Sequence, residues 1–207
     1  AHGRILEIGF GTGMNLRYYP EAVRRIEAID PDCDLDRFSQ PRIEASRIEV
    51  DFHHLDAEHL PFEAERFDTV VSTLTLCSIP DVVHALGEIR RVLKPGGQFL
   101  FLEHGRAPDA SVARWQDRIT PAWKPVFGGC LLNRPIRELV QGAGLRLDPV
   151  QTYYLRGLNS VEWAEVGEQT ARDQRHHGGA QADQTKTVEP VEHEQEDERR
   201  RERDGGF

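Results

Sequence analysis

The run Ile5-Leu6-Glu7-Ile8-Gly9-Phe10-Gly11-Thr12-Gly13 constrains the fold more than any other part of the chain. A stretch of strand character opens directly into three glycines at alternate positions, and a helix is expected to start near Met14. Glycines without Cβ let the main chain pass within contact distance of a nucleoside, and a helix start behind them offers unpaired N–H groups. A dinucleotide fingerprint G-x-G-x-x-G would need glycine at 14 counted from Gly9, or at 16 counted from Gly11, where the chain has Met14 and Leu16. The spacing is E-x-G-x-G-x-G instead, which disfavours a nicotinamide-linked oxidoreductase.

Beyond that loop, short β-rich runs alternate with helical stretches. Strands are expected at residues 4–8, 25–29, 47–52, 67–72 and 98–102, then a last helix at 135–142 and a strand at 145–150. This alternation is the pattern of an α/β fold on a mostly parallel sheet. Asp81 is placed to cap a helix with Val82, Val83, Leu86, Ile89, Val92 and Leu93 on one stripe. Lys94-Pro95-Gly96-Gly97 should end it, proline fixing φ at the turn corner and glycine supplying a positive φ.

Composition removes several classes. No stretch approaches the roughly 20 apolar residues that cross a bilayer, and Ala1-His2-Gly3-Arg4 runs straight into strand pattern, so neither a signal nor a transit peptide is expected and the expected compartment is cytoplasmic. The net charge of −9 argues against a nucleic-acid binder, which needs a basic face. Cys33, Cys77 and Cys130 are odd in number and contain no C-x-x-C pair, so reduced thiols and no metal are expected. His53, His54 and His59 cluster near the third strand without matching cysteine or carboxylate spacing, and read as surface or loop residues. From Gly167 to Phe207, eleven acids face seven bases and only Val188, Val191 and Phe207 are large and apolar, so a disordered charged tail is expected.

The glycine spacing resembles that of class I S-adenosylmethionine-dependent methyltransferases with a type 11 domain, and further segments match in order. Ala28-Ile29-Asp30-Pro31-Asp32 puts an acid at the end of the second strand, Asp56-Ala57-Glu58-His59-Leu60-Pro61-Phe62 resembles the adenine segment, and Phe67 to Ser72 with Leu93 to Gly97 match the fourth strand and the turn before the fifth. The resemblance covers Arg4 to about Val150. It implies a doubly wound, mostly parallel Rossmann-like sheet of six or seven strands with helices on both faces, and S-adenosyl-L-methionine as cofactor. It implies cofactor contacts at Glu7, Gly9, Gly11, Gly13, Asp30, Asp56, Ala57 and Leu76, with Asp30 taking the ribose hydroxyls and Asp56 with the backbone at Ala57 taking adenine. The alternatives are a turn-forming Asp30 and an Asp56 that caps its own loop.

A narrower likeness lies in Ser72-Thr73-Leu74-Thr75-Leu76-Cys77-Ser78-Ile79-Pro80, Phe101-Leu102-Glu103-His104 and Trp115 through Gly128-Gly129-Cys130. These resemble the alkyl-thiol methyltransferases, a branch beside the ubiquinone and phospholipid methyltransferases, and imply a small lipophilic acceptor, a thiol before an amine or a quinone ring carbon. His104 is the candidate base, following the fifth strand at the carboxyl edge of the sheet, with Glu103 placed to orient its imidazole. The alternative is a Glu-His pair that hydrogen-bonds loop backbone. Cys77, after the fourth strand on the same edge, reads either as a contact to the cofactor's methionine moiety or the acceptor, or as a small buried thiol. Trp115, Ile119, Trp123, Val126 and Phe127, broken by Pro121 and Pro125 and interleaved with Arg114, Arg118 and Lys124, read either as core or as a cover for the acceptor with shallow membrane contact over 115–127. Asn133 and Arg134 are placed to orient a polar end of the acceptor.

Two departures from the resemblance shape the domain reading. The first strand starts at residue 4, so the family's amino-terminal helices are expected to be missing, and only Val161 to Val166 offers a last, weak strand. The expected organisation is a methyltransferase domain over 1–160 and a weak strand with charged tail over 161–207. A cofactor-binding module without turnover, or an inactive fragment, is the competing reading; the oligomeric state is left open.

Overall fold

The computed structural model describes residues 1–154 and 163–171. The chain divides into one unit over 1–174 and another over 175–207, the second lying outside the described residues together with the part of the expected tail that follows Ala171. The elements in chain order are β1 (Ile5–Ile8), β2 (Arg25–Ile29), α1 (Asp36–Ala45), β3 (Glu49–His53), β4 (Phe67–Thr73), α2 (Val82–Val92), β5 (Leu93–His104), α3 (Ala110–Trp123), α4 (Ile136–Gly142), β6 (Leu145–Tyr154) and β7 (Trp163–Ala171).

Five strands form a parallel sheet in the order β3-β2-β1-β4-β5, and antiparallel pairings carry the order on through β7 to β6. β1 sits in the middle because its pleat buries side chains on both sides. Leu6 and Ile8 enter a core with Leu86, Ile89 and Val92 of α2 and Val140 of α4. Ile5 enters a second core with Leu16, Tyr19, Val23, Ile26 and Ile48, against which Ile43 of α1 packs. Helices therefore cover both faces. Each fully buried aliphatic side chain in these cores contributes on the order of 1.5–3 kcal/mol.

Local chemistry explains where the elements depart from expectation. No α-helix follows the glycine loop; a five-residue 3-10 turn runs over Met14–Tyr18, entered through Gly13 at φ 74°. Tyr19 precedes Pro20 and is held extended at ψ 139°, so the turn cannot propagate. Asp81 caps α2 as expected, its carboxylate accepting from the backbone N–H of His84 at 3.0 Å. The buried stripe of α2 is Val82, Ala85, Leu86, Ile89 and Val92, whereas Val83 faces solvent. Lys94-Pro95-Gly96-Gly97 lies within β5 as an irregularity: Phe67 pairs with Leu93 and Thr69 with Gln98, so four residues of β5 stand opposite Asp68. Lys94 Nζ bonds the Asp68 carboxylate across it at 2.6 Å. α3 runs through Pro121 instead of stopping there, and Thr120 Oγ1 donates to the carbonyl of Gln116 at 2.7 Å just before it. β7 reaches Ala171, so the sheet extends beyond residue 160 and through Gly167, where the tail was expected to start. Among the described residues no helix is long and apolar enough to cross a membrane.

Candidate active site

The parallel strands end at one edge, and their following loops enclose a cavity of about 440 Å³, within the range of roughly 300–1,000 Å³ common to small-molecule sites. The loop after β1 forms one wall. Gly9 and Phe10 N–H both donate to the carbonyl of Ile29, at 2.9 and 3.1 Å, which tucks the loop under the end of β2. Gly9 has φ 71°, and a Cβ on it would lie 2.0 Å from Thr75 Oγ1, so only glycine lets this loop cross the one after β4. Gly11, at φ 55°, is different: a Cβ there would meet nothing closer than 3.9 Å and would project into open space.

Asp30 ties the walls together. Its Oδ2 accepts from Gly11 N–H at 2.8 Å and its Oδ1 from Asp32 N–H at 2.9 Å. A carboxylate oxygen has a second lone pair, so holding the loop leaves Asp30 able to accept hydroxyl donors from a ligand. Asp56 and Ala57 line the same cavity. Asp56 also caps its own loop, its Oδ1 accepting from His59 N–H at 2.9 Å.

Five expected cofactor or catalytic residues, Glu7, Gly13, Leu76, Glu103 and His104, sit away from the cavity wall. Glu7 is buried beneath the glycine loop, accepting from Asn15 Nδ2 at 3.0 Å and Tyr19 OH at 2.7 Å. Burial pushes its carboxyl up to about 7, against the opposing pull of those two hydrogen bonds. Asn15 Nδ2 also donates to Thr73 Oγ1 at 3.0 Å, so Glu7 acts on the cavity through Asn15 and Thr73. Gly13 serves the turn, where a Cβ would come within 3.1 Å of the Phe10 ring. Leu76 is buried in the core; the residues around it that reach the cavity are Thr73, Leu74, Thr75, Ser78, Ile79 and Pro80, with Leu74 half exposed at φ 54°. Glu103 does not orient His104. Successive strand residues face opposite sides of a sheet, and Glu103 Oε1 accepts from Ser72 Oγ at 3.2 Å, Thr75 N–H at 2.8 Å and Leu76 N–H at 2.9 Å. Its Oε2 is buried without a hydrogen-bond partner, and burial pushes the carboxyl up to about 6.

The neighbour of His104 is a thiol. Cys130 Sγ lies 3.1 Å from His104 Nε2, and Cys77 completes a group whose donor atoms all lie within 4.8 Å of one another. A hydrogen bond from Cys77 and another from His104 pull the Cys130 thiol down, while donating to Cys130 and burial push Cys77 up. This grouping is invisible in the spacing of residues 77, 104 and 130, which come from the loop after β4, the end of β5 and the segment between α3 and α4. Arg134 fastens those loops: it donates to the carbonyls of Leu76 and Ile79, at 2.5 and 2.6 Å, instead of reaching a ligand, and burial lowers its pKa. Asn133 Nδ2 is held by Asp117 at 2.8 Å. Gln116 of α3 adds three buried bonds, from Ala107 N–H and to the carbonyls of Gly105 and Leu132. Of the aromatic series, Trp123 and Phe127 stack with centroids 3.7 Å apart, while Trp115, Val126 and Phe127 remain exposed and Gly128 reaches the cavity.

Comparison with known proteins agrees with this geometry. Residues 6–101 match the profile of the methyltransferase domain. The human thiol S-methyltransferase TMT1A is 34% identical over 160 residues, covering 71% of this chain and 63% of that protein. The ubiquinone/menaquinone biosynthesis C-methyltransferase UbiE of Bartonella tribocorum is 31% identical over 177 residues, covering 80% and 66%. The crystal structure of the YcgJ protein from Bacillus subtilis superposes with a TM-score of 0.70 at 18% identity, covering 84% of this chain and 93% of that one. The chain thus spans less than two thirds of the length of these curated relatives.

The cofactor of this family, S-adenosylmethionine, fits the residues present. The space beyond Gly11 is space a Cβ would fill, and the carboxylates of Asp30 and Asp56 are acceptors on the same cavity, suited to hydroxyl and amine donors. With the glycine loop, the strand order and the relatives in agreement, the chain belongs to the methyltransferase-domain family of class I S-adenosylmethionine-dependent enzymes.

Proposed function

We propose that the chain transfers a methyl group from S-adenosylmethionine to a small lipophilic thiol. The observation that carries the reading is the cavity in which Gly11, Asp30, Asp56 and Ala57 share one wall system. The acceptor class is supported by the likeness to the thiol S-methyltransferase TMT1A and by the apolar Leu74 and Ile79 in the cavity wall. In this reading Asp30 accepts the ribose hydroxyls and Asp56 the adenine amine, and the sheet counts seven strands, five carrying the cofactor loops and the antiparallel pair completing the far edge.

The cofactor supplies an activated sulfonium methyl, so the protein's task is to place a deprotonated acceptor in line with it. A free thiol with pKa near 8.5 is only about a few per cent ionised at neutral pH. His104, at the carboxyl end of β5 and held beside Cys130, takes the acceptor's proton. The residues around Trp115 to Phe127 form the acceptor side of the site and a surface for shallow contact with an anionic lipid layer.

Calorimetric titration with S-adenosylhomocysteine, followed in the same sample by methyl transfer to thiols, amines and quinols, tests the reading. Binding with turnover on thiols is the expected result. Binding without turnover would make the chain a cofactor-binding module, turnover only on quinols or amines would move it to another acceptor class, and no binding would overturn the site.

A further inference from the structure

We propose that Cys77, His104 and Cys130 form a three-ligand site for one soft divalent cation of the zinc class. The donors come from the loop after β4, the end of β5 and the segment between α3 and α4, and their ligating atoms all lie within 4.8 Å of one another. A tetrahedral shell with Zn–S about 2.3 Å and Zn–N about 2.0 Å separates its ligand atoms by roughly 3.5–3.8 Å. The 3.1 Å between Cys130 Sγ and His104 Nε2 therefore has to widen by only about 0.4 Å for an ion to enter. All three cysteines of the chain are unbridged, so both thiols are available.

The backbone around the group is fixed before any ion arrives. Leu131 N–H donates to the carbonyl of Cys77 at 3.0 Å, Arg106 N–H to that of Arg134 at 2.9 Å, and Arg134 itself clamps Leu76 and Ile79. Two thiolates balance a divalent charge, and the charged side chains facing them, Glu103 and Arg134, are of opposite sign. Two sulfurs and an imidazole select a zinc-like ion over magnesium or calcium, which take oxygen. The group Asp56, Glu58 and His59 carries no such proposal: Asp56 and His59 are exposed, and acidic groups commonly gather on a surface without an ion.

Three protein donors leave the fourth tetrahedral position to an outside ligand. A thiol acceptor bound there loses its proton to solvent on coordination, so with the ion present the deprotonation passes from His104 to the ion. This consequence rests on the thiol reading above; the metal site does not.

The test uses the whole chain, reduced, stripped of metal and titrated with cobalt(II) as a spectroscopic stand-in. The expected result is one cobalt per chain with a near-ultraviolet thiolate-to-metal band, displaced by zinc. Cys77→Ser, Cys130→Ser and His104→Ala should each weaken binding by more than about tenfold, with retained S-adenosylhomocysteine binding as the check on folding, and the exposed Cys33→Ser should bind as the native chain does. Absence of the thiolate band from the native chain, its survival in Cys130→Ser, or its loss in Cys33→Ser would overturn the site. If the serine variants fail to fold, zinc content of the native chain purified without chelator decides it, one equivalent supporting the site and none overturning it. Adding a small alkyl thiol should then shift the visible cobalt bands; unshifted bands refute the fourth-position role alone. Methyl transfer by a chain that binds no cobalt refutes the metal site and leaves the methyltransferase reading standing.

Discussion

Glu7→Gln isolates the cost of burying a carboxyl beneath the cofactor loop. Glu7 is about 1% exposed and its carboxyl is raised from 4.5 to about 7, chiefly by burial. The folded chain therefore keeps a proton that the unfolded chain has released between those two values, and its stability falls as pH rises through that window before levelling off above it. At about 1.36 kcal/mol per pKa unit, a shift of roughly 2.5 units corresponds to about 3 kcal/mol. Glutamine has the shape of the protonated acid and keeps one acceptor and one donor for Asn15 and Tyr19. The variant should thus match the native chain near about pH 4, gain on it steadily, and exceed it by about 3 kcal/mol above about pH 7. Glu103 contributes a slope of the same sign, but it is common to both proteins and cancels in the difference. Urea denaturation at a series of pH values measures the gap, and paired melting curves should separate by about 2–4 °C per kcal/mol at this size. A gap independent of pH, or a variant weaker at every pH, would mean that Tyr19 and Asn15 stabilise the ionised carboxylate, and the reasoning would fail. Because Glu7 lies off the cavity wall, S-adenosylhomocysteine affinity should change by less than the stability does.

Gly11→Val should abolish cofactor binding in calorimetry, since Gly11 lines the cavity and a Cβ there meets only the Gly9 carbonyl at 3.9 Å, while its φ of 55° lowers the melting temperature; retained affinity would displace the loop from the site. Asp30→Ala removes an acceptor that serves both Gly11 and the ribose, and a loss of about 1.5–3 kcal/mol in S-adenosylhomocysteine affinity is expected, the range for hydrogen bonds to a charged group. Arg134→Met leaves the carbonyls of Leu76 and Ile79 without their donor, so the melting temperature should fall and acceptor KM rise more than cofactor Kd; an unchanged KM would confine Arg134 to stability. Phe127→Glu should reduce co-sedimentation with anionic vesicles without altering cofactor affinity, and undiminished sedimentation would remove that surface from the lipid reading.

What was legible in the sequence was legible because it is local. β1 and β2 follow from short apolar runs, the cap at Asp81 from one side chain and its third neighbour, and the glycine loop from the conformations only glycine adopts at Gly9. A 3-10 turn replaces the expected helix after the loop because Pro20, two residues past Tyr18, holds Tyr19 extended. Val83 faces solvent although it is apolar, since an apolar residue beside Val82 looks the same in sequence whichever way it faces. Glu103 and His104 are neighbours in sequence, but a strand sends adjacent side chains to opposite sides. The partners they do have, the loop N–H groups of Thr75 and Leu76 for one and Cys130 for the other, lie 26 to 28 residues away and arrive through tertiary packing.

The sheet order explains why the errors concentrate at one end of the site. Outward from β1 the chain builds β2 and β3 on one side and β4 and β5 on the other, so the cavity opens at the point where the order reverses. On the β2 side each wall residue is a strand's own continuation, as with Gly9 after β1 and Asp30 after β2, and a strand and its loop are written contiguously. On the β5 side the wall is assembled from loops that cross one another, and these need buried polar fasteners to hold their backbones in place. Among the described residues Glu103, Gln116 and Arg134 make at least eight hydrogen bonds that bind those loops, seven of these to backbone N–H or C=O groups and one to the hydroxyl of Ser72. A buried Glu or Arg without such partners would cost several kcal/mol, so their burial is itself the mark of an edge where geometry is held by design of the whole fold, and it is on that edge that the cysteines and histidine meet.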